Sequence, residues 1–103
     1  AEIETAVRWN IATVTVVNNN SGGNQSKRGF DRAYGGNPTE QSRELWTFTN
    51  TNFARIAEEI GALGLRVERA SEFAPAFQRA LAAQRPAIID VATDIEILAP
   101  TAG

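Results

Sequence analysis

The run Thr13–Val17, which reads Thr-Val-Thr-Val-Val, constrains the fold more than any other segment of the sequence. All five residues are β-branched, and such side chains favour a pleated strand over a helix. The near-continuous apolar character predicts a strand that is covered on both faces, as in a parallel sheet. The turn-forming residues 18–24, Asn-Asn-Asn-Ser-Gly-Gly-Asn, follow at once. We therefore expect the strand to end abruptly at the first asparagine.

Helical periodicity is clear in three other segments. Residues 2–9 carry one apolar stripe, and a second helix is expected to begin after Asn50 or Asn52. Gly61 and Gly64 are expected to end that helix, with Gly64 suited to a left-handed C-cap. A third helix is expected from a Ser71 cap through Gln84. The inner faces of the last two helices are predicted to contain Phe53, Ile56, Ala57, Ile60, Leu63, Phe73, Phe77, Ala80 and Leu81.

Two further strands complete the predicted fold. Residues 65–68 alternate between apolar and polar side chains, and residues 87–92 form a second run of the buried type. The predicted order is helix, strand, long loop, helix, strand, helix, strand. This alternation predicts the α/β class, with a mostly parallel sheet and flanking helices.

Composition excludes several classes of function. The 103 residues include no cysteine and no histidine, which excludes disulfides, zinc sites with thiolate or imidazole ligands, and catalysis by Ser–His or Cys–His pairs within the chain. The net charge of −2 gives no basic footprint for nucleic acid. No apolar run approaches the roughly 20 residues that cross a bilayer, so we expect no membrane partner. The absence of cysteine fits a reducing, cytoplasmic location.

Residues 21–50 show no clean period, and we expect a long loop with a role in an active site. The segment carries basic side chains that could hold phosphate groups, although a solvated surface is the more common outcome for such a cluster. Its basic and interleaved aromatic residues are Lys27, Arg28, Phe30, Arg32 and Tyr34.

The asparagines and glycines of residues 18–23 follow the first strand, where ligands of open α/β sheets bind. An asparagine amide oxygen and an exposed glycine carbonyl are hard oxygen ligands that suit Mg²⁺, an ion that commonly shares its ligands with phosphate groups. An ordinary turn is the alternative, because asparagine and glycine both tolerate left-handed conformations. The residue types alone leave both interpretations open.

A family resemblance favours the metal site. Residues 2–11, the run Thr13–Val17 and the pair Asn19-Asn20 look like the second half of the thiamine diphosphate (thiamine pyrophosphate, TPP) motif, which begins with Gly-Asp-Gly and ends with Asn-Asn. Residues 52–58, 64–68 and 85–91 fit the C-terminal domain of the same proteins. The chain thus resembles the acetolactate synthase-like superfamily, which includes oxalyl-CoA decarboxylase and 2-hydroxyacyl-CoA lyase.

The resemblance implies thiamine diphosphate and Mg²⁺ as cofactors. It places Asn19, Asn20, Ser21 and Gly22 at the cofactor. The metal ligands would be the side-chain oxygen of Asn20 and the main-chain carbonyl of Gly22. A shift of one residue in register would move the side-chain ligand to Asn19, and this alternative stays open.

The implied activity is the making or breaking of a C–C bond next to a carbonyl, by a carboligase, decarboxylase or lyase that acts on a 2-keto acid or an acyl-CoA-type substrate. Cofactor sites of this family lie between two domains, usually from different subunits, which implies a homo-oligomer, a dimer or a tetramer. The Gly-Asp-Gly half and the pyrimidine-binding domain are missing from the sequence. We therefore expect a fragment that needs the remaining segments or subunits of the same enzyme and is inactive alone.

The predicted division of the chain is a C-terminal part of the cofactor-binding domain over residues 1–94, containing the loop 21–50, and a tail over residues 95–103. The competing interpretation is a non-enzymatic α/β binding or regulatory module that contacts a partner chain.

Overall fold

The computed structural model describes residues 2–36 and 39–96. Its elements, in chain order, are α1 (Glu2–Trp9), β1 (Val14–Asn19), α2 (Asn24–Ala33), α3 (Glu40–Glu44), α4 (Phe53–Ile60), β2 (Leu63–Val67), a 3-10 turn (Ala70–Glu72), α5 (Phe73–Ala82) and β3 (Ala87–Ala92). They form two compact units, of which the first contains residues 2–19 and 52–93 and the second contains residues 20–51 and 94–96.

The first unit is built on a three-stranded parallel sheet with the order β1-β3-β2. Ala87 at the start of the central strand lies opposite both Val14 and Leu63. Helix α5 covers one face, and α1 and α4 cover the other. Ile89 and Ala57 are fully buried, one in the core of each face. The predicted α/β class, with its parallel sheet and flanking helices, is confirmed.

Strand β1 is longer than the sequence predicts. It continues through Asn18 and Asn19, because these residues pair with Val91 and Ala92 of β3. The expected stop at the first asparagine is therefore wrong, and the turn begins one residue after the strand ends at Asn19. Cover on both faces is also wrong at Val16, which is 47% exposed on a strand that lies at the edge of the described sheet.

Helix α4 begins as predicted at an Asn52 cap, whose side-chain oxygen accepts from the Arg55 N–H at 3.0 Å. Its end differs from the prediction, because the left-handed C-cap is Gly61, with φ +102°. Gly64 instead lies inside β2, where a Cβ atom would stand 2.0 Å from the Ala54 carbonyl oxygen. This glycine lets the strand pack closely against the backbone of α4.

The predicted Ser71 cap of α5 is wrong, because residues 70–72 form a 3-10 turn before that helix. The Glu72 carboxylate accepts from the backbone N–H groups of residues 68 and 69 at 3.0 and 2.8 Å. Two side chains predicted to be buried are about half exposed instead, Ile56 at 46% and Leu81 at 53%.

The described residues of the second unit form two helices where the sequence suggested one long loop. Helix α2 is supported by the i,i+4 ion pair between Lys27 and Asp31, and left-handed glycines follow it at positions 35 and 36. Helix α3 begins at a capping box formed by Thr39 and Ser42. These local polar interactions stabilise two helices that the hydrophobic periodicity of the segment does not indicate.

Within the described residues, no helix has both the length and the apolar character that crossing a bilayer requires. The tail predicted for residues 95–103 lies largely outside the described part of the chain, which ends at Glu96.

Candidate functional site

The asparagines of the first unit lie at the end of β1 and have different surroundings. Asn18 is exposed, and its side-chain oxygen accepts a hydrogen bond from the Thr93 hydroxyl. Asn19 is only 7% exposed, and its Nδ2 donates to Oδ1 of Asp90 at 3.0 Å. The pleat of the strand explains the contrast, because successive side chains point to opposite faces of a sheet.

Asp90 is the fully buried centre of a polar network that the sequence analysis missed. Besides the Asn19 amide, its carboxylate accepts from the Phe53 N–H at 2.8 Å and from Arg66 Nη1 at 2.7 Å, both at Oδ2. The network therefore joins the end of β1, the first turn of α4, and strands β2 and β3. The available signal was the single charged residue inside the apolar run 87–92.

The second unit begins with the turn Asn20–Gly22. The Gly22 N–H donates to Oδ1 of Asn20 at 3.1 Å, which fixes the orientation of the amide oxygen. Ser21 between them has φ +57°, a left-handed conformation that costs a residue with a Cβ atom about 1 kcal/mol or more. Such strain persists only where the surroundings enforce it, and it is common at ligand sites.

Segment 46–48 holds this turn by an antiparallel bridge between Gly22 and Thr47. The Gly23 N–H donates to the Trp46 carbonyl, and the Phe48 N–H donates to the Ser21 carbonyl, both at 2.8 Å. A Cβ atom on Gly22 would stand 2.7 Å from the Trp46 carbonyl oxygen and 2.5 Å from Cδ1 of Ile95. Position 22 therefore requires glycine.

Two oxygens of the turn are suited to a metal. The Asn20 amide oxygen keeps a second lone pair beside the one that accepts from Gly22. No backbone N–H of the described residues donates to the Gly22 carbonyl oxygen. Both are hard, neutral oxygen ligands of the kind that Mg²⁺ takes. In the described ranges, no three carboxylate, histidine or cysteine side chains form an alternative metal cluster.

Lys27, considered as a phosphate ligand, is already paired. Its ammonium group bonds Asp31 and lies 3.3 Å from Oε2 of Glu96, and its side chain is 13% exposed. The hydrogen bond to Asp31 raises the pKa of Lys27, burial opposes that rise, and Glu96 adds to it. Arg28 and Arg32 are exposed on α2, as expected for a solvated surface.

Comparison with known proteins gives one family. Residues 1–91 match the family described as thiamine pyrophosphate enzyme, C-terminal TPP binding domain. A 2-hydroxyacyl-CoA lyase of Arabidopsis thaliana is 31% identical over 93 residues, which are 90% of this chain and 16% of that protein. An acetolactate synthase large subunit of Mycobacterium tuberculosis is 30% identical over 99 residues, 96% of this chain and 17% of that protein. The chain thus spans about one sixth of the length of these relatives.

Proposed function

The chain belongs to the thiamine pyrophosphate enzymes, as a C-terminal TPP-binding domain, and from that premise we propose that its Asn20–Gly22 turn binds a Mg²⁺ ion that holds the cofactor diphosphate. The resemblance to the acetolactate synthase-like superfamily is confirmed, since a lyase and a synthase of that group are among the relatives. One observation carries the proposal. A strained turn presents an oriented amide oxygen and a carbonyl oxygen that accepts from no described backbone N–H.

In this proposal the metal ligands are Asn20 Oδ1 and the Gly22 carbonyl, and Asn19 and Ser21 complete the cofactor-binding segment. The engagement of the Asn19 amide by Asp90 supports Asn20 as the side-chain ligand. Mg²⁺ takes octahedral oxygen coordination, so two ligands from this turn leave most positions to phosphate, water and other parts of the enzyme. The isolated chain is therefore expected to bind cofactor weakly and to be inactive.

The proposed reaction makes or breaks a C–C bond next to a carbonyl, for which bound TPP supplies the electron sink. The names of the two relatives support an acyl-CoA-type or a 2-keto acid substrate for this chain. We propose further that the site is completed by the remaining segments or subunits of the same enzyme, in a homo-oligomer, a dimer or a tetramer. The residues of this chain bind and orient the metal and its diphosphate.

The test is Asn20→Ala in the full-length protein, with Asn18→Ala as the matched control. Calorimetric titration should show Mg²⁺-dependent TPP affinity weakened by at least about 10-fold in Asn20→Ala. Replacing a residue that only hydrogen-bonds to a metal ligand already weakens metal affinity by about that much. Asn18→Ala removes an equal side chain whose oxygen accepts from Thr93, so its TPP affinity should stay near that of the wild type.

Circular dichroism of both variants should match that of the wild type. Equal TPP affinity in the three proteins would reject the ligand assignment. An inability of the full-length wild-type protein to bind TPP with Mg²⁺ would favour the competing interpretation, a non-enzymatic α/β binding or regulatory module.

A further inference from the structure

The bridge between Gly22 and segment 46–48 is of the type in which the two paired residues exchange no hydrogen bond. Its two hydrogen bonds, at 2.8 Å each, are made by residues 21 and 23, on either side of Gly22. In an antiparallel pair of this kind, the N–H and C=O of the central residue point away from the partner segment. The Gly22 N–H accordingly donates to the Asn20 side chain, and its carbonyl oxygen faces away from segment 46–48. The segment thus orients one of the two proposed metal ligands.

Trp46 is the residue that anchors segment 46–48. It is 8% exposed, whereas the two residues that follow it are both exposed. A Cβ atom built on Gly22 would lie 3.6 Å from Cε3 of the indole, so the ring borders the glycine that carries the proposed ligand. The Lys27 ammonium group lies 5.4 Å from the centroid of the same ring, at a cation–π distance. Because buried aromatic rings dominate local packing, the position of the segment depends on this side chain.

We propose that Trp46 is a positioning residue of the metal site. Its buried indole anchors segment 46–48, and the segment in turn keeps the Gly22 carbonyl facing outward and available to the ion. The proposal rests on the function proposed for the Asn20–Gly22 turn, and it assigns Trp46 no contact with the metal or the cofactor. A ligand that is already held in its binding orientation gives up little conformational entropy to the ion. Removal of the indole should therefore weaken metal binding although every ligand atom remains.

The test compares Trp46→Ala and Trp46→Phe in the full-length protein, with Trp9→Ala as the matched control. Calorimetry gives the Mg²⁺ concentration at which TPP binding is half-maximal, together with the number of TPP sites per chain. Trp46→Ala should raise that concentration by about 10-fold or more at an unchanged number of sites, the loss usual for residues that orient metal ligands. Trp46→Phe keeps a ring, and the indole N–H that it removes has no partner among the described residues, so this variant should lie nearer to the wild type than to Trp46→Ala. Trp9 is 71% exposed and belongs to the first unit, so Trp9→Ala should match the wild type.

A second measurement needs neither metal nor cofactor. The Phe48 amide donates to the Ser21 carbonyl, so its hydrogen exchange in the metal-free protein reports whether segment 46–48 is held in place. Trp46→Ala should speed this exchange by about 10-fold or more, because truncation of a buried aromatic ring is costly. The Phe53 amide, in the first unit, should keep its protection. Equal loss of protection at both amides would indicate general destabilisation and overturn the anchoring role.

If Trp46→Ala does not fold, a pair of glycine variants decides. A Cβ atom at position 22 would stand 2.7 Å from the Trp46 carbonyl oxygen and push segment 46–48 away, while both proposed ligand oxygens remain. A Cβ atom at position 23 would meet its nearest neighbours at 3.6 Å or more, which is an ordinary contact. Gly22→Ala should therefore raise the half-maximal Mg²⁺ concentration by about 10-fold or more and speed exchange of the Phe48 amide. Gly23→Ala should change neither.

Fewer TPP sites at an unchanged half-maximal Mg²⁺ concentration in Trp46→Ala would give Trp46 a structural role only and overturn the proposal. Trp46→Phe as weak as Trp46→Ala, or equal Mg²⁺ dependence in the two glycine variants, would also overturn it. In each of these cases, binding by the wild type and its loss in Asn20→Ala would leave the proposed function intact. A wild type that binds no TPP with Mg²⁺ would overturn both.

Discussion

Replacement of Asp90 by alanine is expected to be among the most damaging single changes in the first unit. Asp90 is 0% exposed, and its carboxylate accepts from the Asn19 amide, the Phe53 N–H and the Arg66 guanidinium. Phe53 is the first residue of α4, and N–H groups in the first turn of a helix have no partner within the helix. Asp90 supplies that partner together with a negative charge at the positive end of the helix.

The magnitude follows from what each donor can do after the substitution. The Arg66 side chain is 26% exposed and can turn toward solvent, so its loss is modest. The Asn19 donor is buried and the Phe53 N–H is partly buried, and each loses an acceptor at a cost of about 1–3 kcal/mol. The expected total is about 3–5 kcal/mol, similar to the cost of removing one partner of a buried ion pair.

Amide hydrogen exchange at Phe53 in the full-length protein measures this loss where it occurs. Asp90→Ala should lower the protection of that amide by about 100-fold or more, since 1.4 kcal/mol corresponds to a factor of ten. Glu68→Gln is the control, because Glu68 also faces Arg66, at 3.6 Å, but is 70% exposed. Its effect should stay below about fivefold, as for a surface ion pair. Equal protection in the two variants would refute the reasoning.

Two further predictions concern backbone geometry and pH. Gly64→Ala should destabilise the fold by about 3 kcal/mol, because the new Cβ would stand 2.0 Å from the Ala54 carbonyl oxygen. Gly29→Ala lies in an open helical position and should instead raise the stability of the fold by about 0.5–1 kcal/mol. Thermal melting of the two variants distinguishes these outcomes. Hydrogen bonds from the backbone at residues 68 and 69 lower the pKa of Glu72 below its ordinary 4.5, so its ionised form stabilises the fold above that value. This stabilisation disappears as pH falls through the lowered pKa. Glu72→Gln should therefore lose less stability over that pH range than the wild type. Melting temperatures that fall in parallel with pH in the two proteins would contradict this.

The parallel core was predictable from sequence because its signals are local and repeated. β-Branched and aliphatic runs marked two strands, and the final strand, Ala87–Ala92, has the predicted bounds. The Asn52 cap was likewise visible, since a side chain and a backbone N–H three residues later suffice to form it. Which of two glycines ends α4 was not predictable, because the approach of β2 to the Ala54 carbonyl is a tertiary contact.

Other features depend on groups that are distant in sequence. Helix α2 is strongly polar, with Phe30 and Ala33 as its apolar side chains, and its Lys27–Asp31 pair gives little signal in a segment rich in glycine. The Asp90 network joins residues 71, 37 and 24 positions apart, so no local pattern reports it. The site residues were indicated by family resemblance, since asparagine and glycine alone also fit an ordinary turn.

The three consecutive asparagines show why residue type alone cannot identify a ligand. Asn18 is exposed and accepts from the Thr93 hydroxyl, and Asn19 faces inward and donates to Asp90. Both lie within β1, where the pleat fixes their directions. Asn20 follows the strand, and a hydrogen bond from the Gly22 N–H orients its oxygen. An oxygen that is oriented in this way loses little freedom on binding a cation, and preorganisation of this kind favours affinity. The same residue type is thus an exposed acceptor at position 18, a buried donor at position 19 and a candidate metal ligand at position 20, according to where each residue lies relative to the end of β1.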